Sequence, residues 1–293
     1  MYKLKKTLSV VFAALLMFML AACDQTAKTT NEEAEPTEES TKKENTSELT
    51  LEEVMTKSME ASESVKSFAV KMDMTQAMSA SEQTEAIDMD STIDMKVVTN
   101  PMTLYQKMDM NMNEAGAENT YTTETYFSPD GIFVFDSSTN QWMTFPKEMS
   151  DQLMQTSTQE TNPAEELKKL QQFVEDFTFE QDDKNFILKL NASGEKFTDF
   201  IKETVEQTLP QDLYAGGDVF NNMKINEIKY EIHINKETYY PTSLNTVMDM
   251  EITAEGETVK LKQNMEGTYT DYNEIEEVKV PQEVIDNAVE MEM

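Results

Sequence analysis

The strongest constraint on the fold is an alternation of apolar and polar residues with a period of two. Between residues 70 and 112, three segments alternate Met, Ile or Val with Asp, Lys or Asn, and the triplet Met-Asp-Met begins at Met72, Met108 and Met248. Successive side chains of a β-strand point to opposite faces of a sheet. The alternation therefore predicts strands with one buried face and one solvated face, which is typical of antiparallel sheets.

Turn signals separate these alternating segments along the chain. Ser128-Pro129-Asp130-Gly131 is the clearest and indicates a hairpin. We predict an antiparallel meander of about six strands between residues 70 and 145. A hairpin around residues 181–184 and three strands between residues 228 and 269 predict a second run of strands. The Met-Asp-Met triplets are irregularly spaced, which argues against a solenoid repeat.

Helical signals occur at three places. Thr50-Leu51-Glu52-Glu53 is a capping box and begins a predicted helix over residues 51–64. Asn162-Pro163 begins a second predicted helix over residues 163–177, and a third covers residues 195–209. The predicted fold class is α+β: one curved antiparallel β-sheet, a half-barrel of roughly 9–11 strands, with two or three helices packed on its concave face.

The N-terminus has the composition of a secretory leader. Three Lys residues precede an uncharged run that ends in Leu20-Ala21-Ala22-Cys23. These last four residues resemble the bacterial lipobox, which implies cleavage between Ala22 and Cys23 and diacylation of the Cys23 thiol. A transmembrane anchor is the alternative, but the 17 uncharged residues from Thr7 to Cys23 fall short of the roughly 20 that a spanning helix needs.

The leader divides the chain into three parts. Residues 1–22 form the predicted signal peptide, residues 23–48 the lipidated Cys23 and an acidic tether, and residues 49–293 a single domain. The tether contains no aromatic residue and no Leu, Ile, Val or Met, so we expect it to be disordered. The expected location is the extracytoplasmic face of the cell membrane, which the protein contacts through the lipid on Cys23.

Charge excludes one class of partner. The formal net charge is −32, and it becomes −35 once the three Lys of the leader are removed. The chain contains no Arg. Nucleic-acid binding needs a basic surface, so we expect no nucleic-acid partner.

No residue pattern supports catalysis or a cofactor. Ser193-Gly194-Glu195-Lys196 fits the S-x-x-K pattern of penicillin-interacting serine enzymes, but the companion motifs are absent and a helix cap is the simpler interpretation. His233 is the only histidine, and the alternation places it on the solvated face of its strand. We therefore expect no enzymatic activity, no cofactor and no His or Cys metal site.

Methionine is abundant on the predicted inward positions. Twenty of the 23 Met residues follow the leader. They admit three interpretations: an ordinary core, a flexible lining for apolar ligands, or thioether ligands of Cu(I). Their spread over several strands weakens the copper interpretation. The candidate cavity-lining residues are Met72, Met74, Met108, Met110, Ile232, Ile234, Met248, Met250 and Met265.

The order of elements resembles two groups of lipoproteins. Five features are similar to the DUF6612 group of Gram-positive lipoproteins: the lipobox, the opening helix, the hairpin at residues 126–131, Trp142 and the closing Val280-Pro281-Gln282-Glu283-Val284. The overall order also resembles the LolA/LppX-type carriers, which implies an apolar cavity and no catalytic residue. We therefore expect a non-catalytic lipoprotein that binds an apolar or lipid-like ligand between sheet and helices. The alternative is a structural or sensor lipoprotein with a solid core and an envelope protein partner.

Overall fold

The computed structural model describes residues 28–29, 47–80, 87–114, 116–151, 173, 176–193, 197–198, 223–254 and 257–291. The predicted leader and Cys23 lie outside the described residues. The predicted helices over residues 163–177 and 195–209 also lie outside them, apart from residues 173, 176–177 and 197–198.

Long strands dominate the described residues. Helix α1 (Leu51–Glu63) comes before the long strands, and helix α2 (Gln282–Asn287) follows them. The strands are β1 (Lys28–Thr29), β2 (Ser67–Ala80), β3 (Ile87–Thr99), β4 (Met102–Glu114), β5 (Ala117–Ser128), β6 (Gly131–Asp136), β7 (Gln141–Thr144), β8 (Phe177–Gln181), β9 (Asn185–Ala192), β10 (Met223–Asn235), β11 (Pro241–Ala254), β12 (Glu257–Thr270) and β13 (Val289–Glu290).

All of these strands belong to one sheet. Its order is β1-β8-β9-β10-β11-β12-β2-β3-β4-β5-β6-β7-β13. Two antiparallel meanders, β2 to β7 and β8 to β12, join where β12 pairs with β2. The short strands β1 and β13 add parallel pairs to β8 and β7 at the two ends. The junction of the two meanders therefore lies near the middle of the sheet.

The predicted α+β class is wrong. Strand accounts for 63% of the described structure and helix for 15%, in a single mixed sheet that is not closed. The predicted strand number was also too low, because the sheet has 13 strands. The apolar alternation predicts a strand over residues 70–74 that stops before Gln76, whereas β2 continues through Gln76 to Ala80.

Helix α1 begins at the predicted capping box. The Glu53 backbone N–H donates to Thr50 Oγ1 at 3.3 Å, and the Thr50 N–H donates to Glu53 Oε2 at 2.8 Å. The helix then buries Leu51, Val54 and Met55. The prediction of the first helix is confirmed, and its apolar stripe joins the main core cluster.

One face of the sheet is buried and the other is solvated. We call the face that carries Met72, Ile232 and Leu261 the inner face, and the opposite face the outer face. The apolar stripe of α1, Phe173 and Phe197 belong to the same core cluster as the inner face. The ring centroids of Phe173 and Phe197 lie 4.9 Å apart, and both residues are buried in this core.

The end of the predicted tether contacts the sheet. The Ser47 backbone N–H donates to Gln181 Oε1 at 2.8 Å, and Gln181 Nε2 donates to the Ser47 carbonyl at 3.1 Å. Gln181 is a buried residue at the end of β8. This pair of hydrogen bonds anchors the chain immediately before α1.

Candidate functional site

The inner face carries all nine residues that were predicted to line a cavity. They occupy five strands, β2, β4, β10, β11 and β12. The seven buried ones are Met72, Met74, Ile232, Ile234, Met248, Met250 and Met265. Met108 is partly buried and packs against the core, and Met110 is partly buried on the same strand.

The methionines of this face are neighbours across the strands. Met74 lies opposite Met265 at the junction of β2 and β12. Met248 lies opposite Ile228 of β10 and Gln263 of β12. Directly opposite side chains on adjacent strands are about 4.5–5.5 Å apart at Cβ, so these side chains pack against each other. The result is a mainly apolar surface built largely from flexible, polarizable side chains.

A group of four polar residues interrupts this apolar surface. Thr246 on β11, Gln263 on β12, Gln76 on β2 and Ser91 on β3 occupy inner positions on four adjacent strands. We call these four residues the polar group. Gln76 Nε2 donates to Gln263 Oε1 at 2.7 Å across the junction of the two meanders. Each of the four side chains is 5% exposed or less.

Three oxygens of the polar group lack a hydrogen-bond partner among the described residues. They are Gln76 Oε1, Ser91 Oγ and Thr246 Oγ1. Most buried polar side-chain atoms in folded proteins are hydrogen-bonded, so a cluster of unpaired ones calls for an explanation. The apolar periodicity does not predict this group, because only the apolar members of each alternating segment contribute to that pattern. The available signal was that these polar residues fall in phase with the inward methionines.

The inner positions around the polar group carry no charge. Along residues 68–78, 87–97, 244–252 and 259–269, every second residue faces inward, and none of these is Lys, Asp or Glu. The charged residues of the same strands, such as Lys71, Asp73 and Lys262, lie on the outer face. An ionic group bound at the polar group would therefore find no counter-charge on these four strands, which makes its burial costly.

Two further residues shape the inner face near the polar group. Tyr230 lies directly opposite Thr246, and its burial raises the pKa of its hydroxyl well above the usual value, so this hydroxyl stays neutral. Gly267 lies between Leu244 and Met72. A Cβ atom at Gly267 would come within 3.3 Å of the Leu244 carbonyl oxygen. Glycine is therefore the residue that fits without displacing its neighbours.

The outer face carries charged and aromatic residues. The rings of Tyr105 and Tyr126 are tilted by 40° with centroids 4.8 Å apart, and the Trp142 ring lies 5.7 Å from that of Tyr126 and 5.5 Å from that of Phe135. The Tyr105 hydroxyl donates to Glu124 Oε2 at 2.9 Å. Partial burial and this bond to a carboxylate both raise the pKa of Tyr105. All of these aromatic side chains are partly exposed.

The aspartates of the alternating segments make outward pairs. Lys107 Nζ donates to Asp109 at 2.7 Å, and the Thr122 hydroxyl donates to it at 2.6 Å. These two hydrogen bonds lower the pKa of the Asp109 carboxyl. On β10, the His233 ring lies 2.9 Å from Glu231 and is partly exposed, as the alternation predicts. These polar contacts are surface interactions and define no reactive site.

The described residues contain neither a cluster of metal ligands nor a membrane-spanning helix. Nowhere in the described ranges do three or more His, Cys, Asp or Glu side chains gather as a metal site. In the same ranges, no helix is long and apolar enough to cross a membrane. Ser193 of the S-x-x-K pattern follows the end of β9 at Ala192, and residues 194–196 lie outside the described residues.

The fold and the inner face define a protein built on one open, mainly antiparallel sheet with an uncharged, methionine-rich interior. Residues 50–289 match the family described as "Family of unknown function (DUF6612)". The match covers most of the chain, so the chain belongs to the DUF6612 family, and the predicted membership is confirmed.

The curated proteins and the solved structures add no evidence about the function of this chain. No curated protein matches the sequence. The chain is similar to LprF from Mycobacterium bovis, with 13% identity, 78% of this chain and 94% of that chain covered, and a TM-score of 0.30. It is also similar to a DUF1329 family protein from Desulfovibrio piger, with 7% identity, coverages of 72% and 89%, and a TM-score of 0.26. At these scores the likenesses carry no inference about a ligand, and the LolA/LppX resemblance stays a prediction.

Proposed function

We propose that this protein is an extracytoplasmic lipoprotein, anchored through Cys23, that binds an apolar or lipid-like ligand against the inner face of its sheet without catalysing a reaction. The observation that carries the proposal is the composition of that face. Met72, Met74, Met248, Met250 and Met265 occupy neighbouring inner positions on three adjacent strands. The lipid anchor is inferred from the lipobox resemblance alone.

Methionine suits a surface whose occupant varies. Its unbranched side chain adapts to irregular space, and methionine-rich surfaces can re-pack around different apolar partners. A core with one fixed packing is more often filled by Leu, Ile and Phe, as in the β8–β9 part of this sheet, where Phe179, Phe186, Leu188 and Leu190 are buried. The contrast between the two parts of one sheet supports a binding role for the part that is rich in methionine.

A second candidate function follows from the burial of the same residues. Met74, Met248 and Met250 are each less than 5% exposed, and α1 packs into the same core cluster. This close packing favours a solid core. The protein would then be a structural or sensor lipoprotein, and the partly exposed aromatic residues around Trp142 on the outer face would contact its partner.

Ligand uptake separates the two candidates. The chain from residue 23 onward, with Cys23→Ser to prevent lipidation, contains every described element. We expect it to take up the fluorescent apolar probe N-phenyl-1-naphthylamine saturably with a Kd of a few micromolar, roughly −8 kcal/mol. Native mass spectrometry of the purified protein would show whether a ligand is carried through purification.

Two tryptophan variants on β11 test the location. Met250 lies on the inner face, whereas Val247 is 39% exposed on the outer face of the same strand. Met250→Trp should fill space next to the ligand and weaken probe uptake, and Val247→Trp should leave it unchanged. Absence of saturable uptake by the parent chain, together with a Met250→Trp variant that fails to fold, would establish a solid core instead.

A further inference from the structure

The polar group has the properties of a recognition site inside an apolar surface. Gln76 and Gln263 lie opposite each other, and Ser91 and Thr246 occupy the diagonal positions on the two flanking strands. Adjacent strands are about 4.8 Å apart, so the group extends about 14 Å across the sheet. Every member is more than nine-tenths buried. An ordinary apolar core gains nothing from such a group, because buried polar atoms without partners are destabilising.

The unpaired atoms define what an occupant must offer. Ser91 Oγ and Thr246 Oγ1 can each donate a hydrogen bond and accept others, and Gln76 Oε1 can only accept. The Gln76 amide nitrogen already donates to Gln263, which fixes Gln76 Oε1 as the free acceptor. A matching group therefore presents at least one O–H or N–H donor to Gln76 and acceptor oxygens to the two hydroxyls.

The charge of the surroundings limits the occupant further. The inner positions of β2, β3, β11 and β12 around the polar group carry no Lys, Asp or Glu, as described above. A carboxylate or phosphate placed here would lose its hydration without gaining a cation from these strands. An uncharged group with hydroxyl and carbonyl oxygens loses less hydration and can satisfy all three unpaired atoms.

We propose that the polar group binds the uncharged, hydroxyl- and ester-bearing head of an acylglycerol-type amphiphile, with the acyl chain packed along the neighbouring methionines. This inference rests on the proposed function, because it assumes that the inner face admits an apolar ligand. It adds the chemical class of that ligand and the residues that select it. Met265 and Met74, which separate Thr246 from Ser91 along one register row, would contact the carbon atoms of the head between the two hydroxyls.

Displacement of N-phenyl-1-naphthylamine by three amphiphiles with the same chain tests the proposal. The competitors are monooleoylglycerol, methyl oleate and oleate at pH 8, with the Cys23→Ser chain described above. A net hydrogen bond changes a dissociation constant by about 2- to 10-fold. We therefore expect monooleoylglycerol to bind about 10-fold more tightly than methyl oleate, which lacks a donor, and oleate to bind least tightly because of its charge.

Near-isosteric variants assign the preference to the polar group. The single ester of methyl oleate can accept from at most one of the two hydroxyls, so Thr246→Val and Ser91→Ala should each reduce the preference for monooleoylglycerol about 2- to 10-fold and weaken methyl oleate binding less. Thr246→Ser keeps the hydroxyl and should keep the preference. The matched controls are Thr75→Val and Ser243→Ala, which lie on the outer faces of the neighbouring strands β2 and β11.

The possible outcomes are distinguishable. Equal affinity for the three amphiphiles, unchanged in the variants, would overturn this inference and leave the proposed function standing. Loss of thermal stability in ligand-free Thr246→Val and Ser91→Ala without a change in preference would mean that the polar group binds structural water, and would also overturn it. If the parent chain takes up neither the probe nor any amphiphile, both proposals fail.

Discussion

Met74 offers the sharpest test of which face of the sheet is buried. Its side chain is 4% exposed, and it lies between Met265 of β12 and Ser91 of β3. Truncation of a buried Met to Ala costs about 2–5 kcal/mol of unfolding free energy, and an Asp side chain restores none of the lost apolar contact. We therefore expect Met74→Asp to lose at least about 2–5 kcal/mol even where the new carboxyl is protonated.

The loss should grow as the pH rises. The new carboxyl would be buried among uncharged inner positions, so its pKa in the folded state would lie above the value of about 3.9 in the unfolded chain. A raised folded-state pKa means that the folded state binds the proton more tightly. The stability that protonation provides is therefore complete below the pKa of the unfolded state and is lost as the pH rises through the pKa of the folded state. The total loss is about 1.4 kcal/mol for each unit by which the folded-state pKa exceeds the unfolded-state pKa.

Urea denaturation followed by circular dichroism measures both effects. The free energy of unfolding of Met74→Asp would be compared with that of the parent chain at about pH 4 and about pH 7, so that the general acid sensitivity of the chain cancels. Met74→Leu conserves volume and should cost less than about 1.5 kcal/mol. Thr268→Asp, exposed opposite Lys71 on the outer face, should change stability by less than about 0.5 kcal/mol. A Met74→Asp variant as stable as Thr268→Asp, or with no pH dependence, would refute the assignment of the inner face.

Four other predictions concern separate parts of the chain. Cys23→Ser should abolish metabolic labelling with radioactive palmitate, and retained labelling would exclude the lipobox. Met110→Asp should destabilise the protein clearly less than Met74→Asp in urea, because the structure leaves Met110 partly exposed, and equal losses would contradict this. Gly267→Val should lower stability by about 1–3 kcal/mol through overpacking, and an unchanged melting temperature would show that the strand can shift. Asp109→Ser should cost less than about 1 kcal/mol at neutral pH. Because the wild-type carboxyl has a lowered pKa, that cost should disappear as the pH falls through this pKa in urea titrations.

The sequence predicted the sheet well because the alternation carries physical information over long stretches. A shift of one residue exchanges the two faces of a strand, so a run such as residues 70–74 allows only one orientation. The turn residues Ser128-Pro129-Asp130-Gly131 predicted the hairpin equally clearly. Gly131 has a φ of 136°, which other residues rarely adopt. The capping box at Thr50 located the first helix for the same reason: a local hydrogen-bond pattern determines it.

The errors came from features that no local pattern encodes. Strands β1 and β13 are two residues long and pair with β8 and β7, which lie far away in sequence. The bond between Ser47 and Gln181 joins residues 134 positions apart. The order of the sheet, with β12 beside β2, likewise depends on long-range pairing. The fold class was wrong because the strands extend beyond their apolar alternation, so that strand makes up 63% of the described structure and helix only 15%.

The candidate site was predicted in its apolar part and missed in its polar part. Periodicity placed the inward methionines, because each strand repeats them. Gln76, Ser91, Thr246 and Gln263 occur once per strand, so only the register of four adjacent strands shows that they lie together. A single polar residue in an apolar stripe carries little information, whereas four such residues on adjacent strands form a cluster that only the structure reveals.

The position of the polar group also bears on how the two meanders join. The hydrogen bond from Gln76 to Gln263 crosses the junction between β2 and β12 and connects residues 187 positions apart. A slip of β2 by two residues keeps its apolar side chains on the inner face but would place Met74 or Met78 opposite Gln263 and leave the Gln263 side-chain oxygen unpaired, which buried amides tolerate poorly. The flanking methionines could adapt to such a slip, because their side chains are flexible. The amide pair therefore penalises a register error that the apolar residues alone would tolerate. The same pairing sets the register in which Gln76, Ser91 and Thr246 lie together, which the proposed ligand site requires.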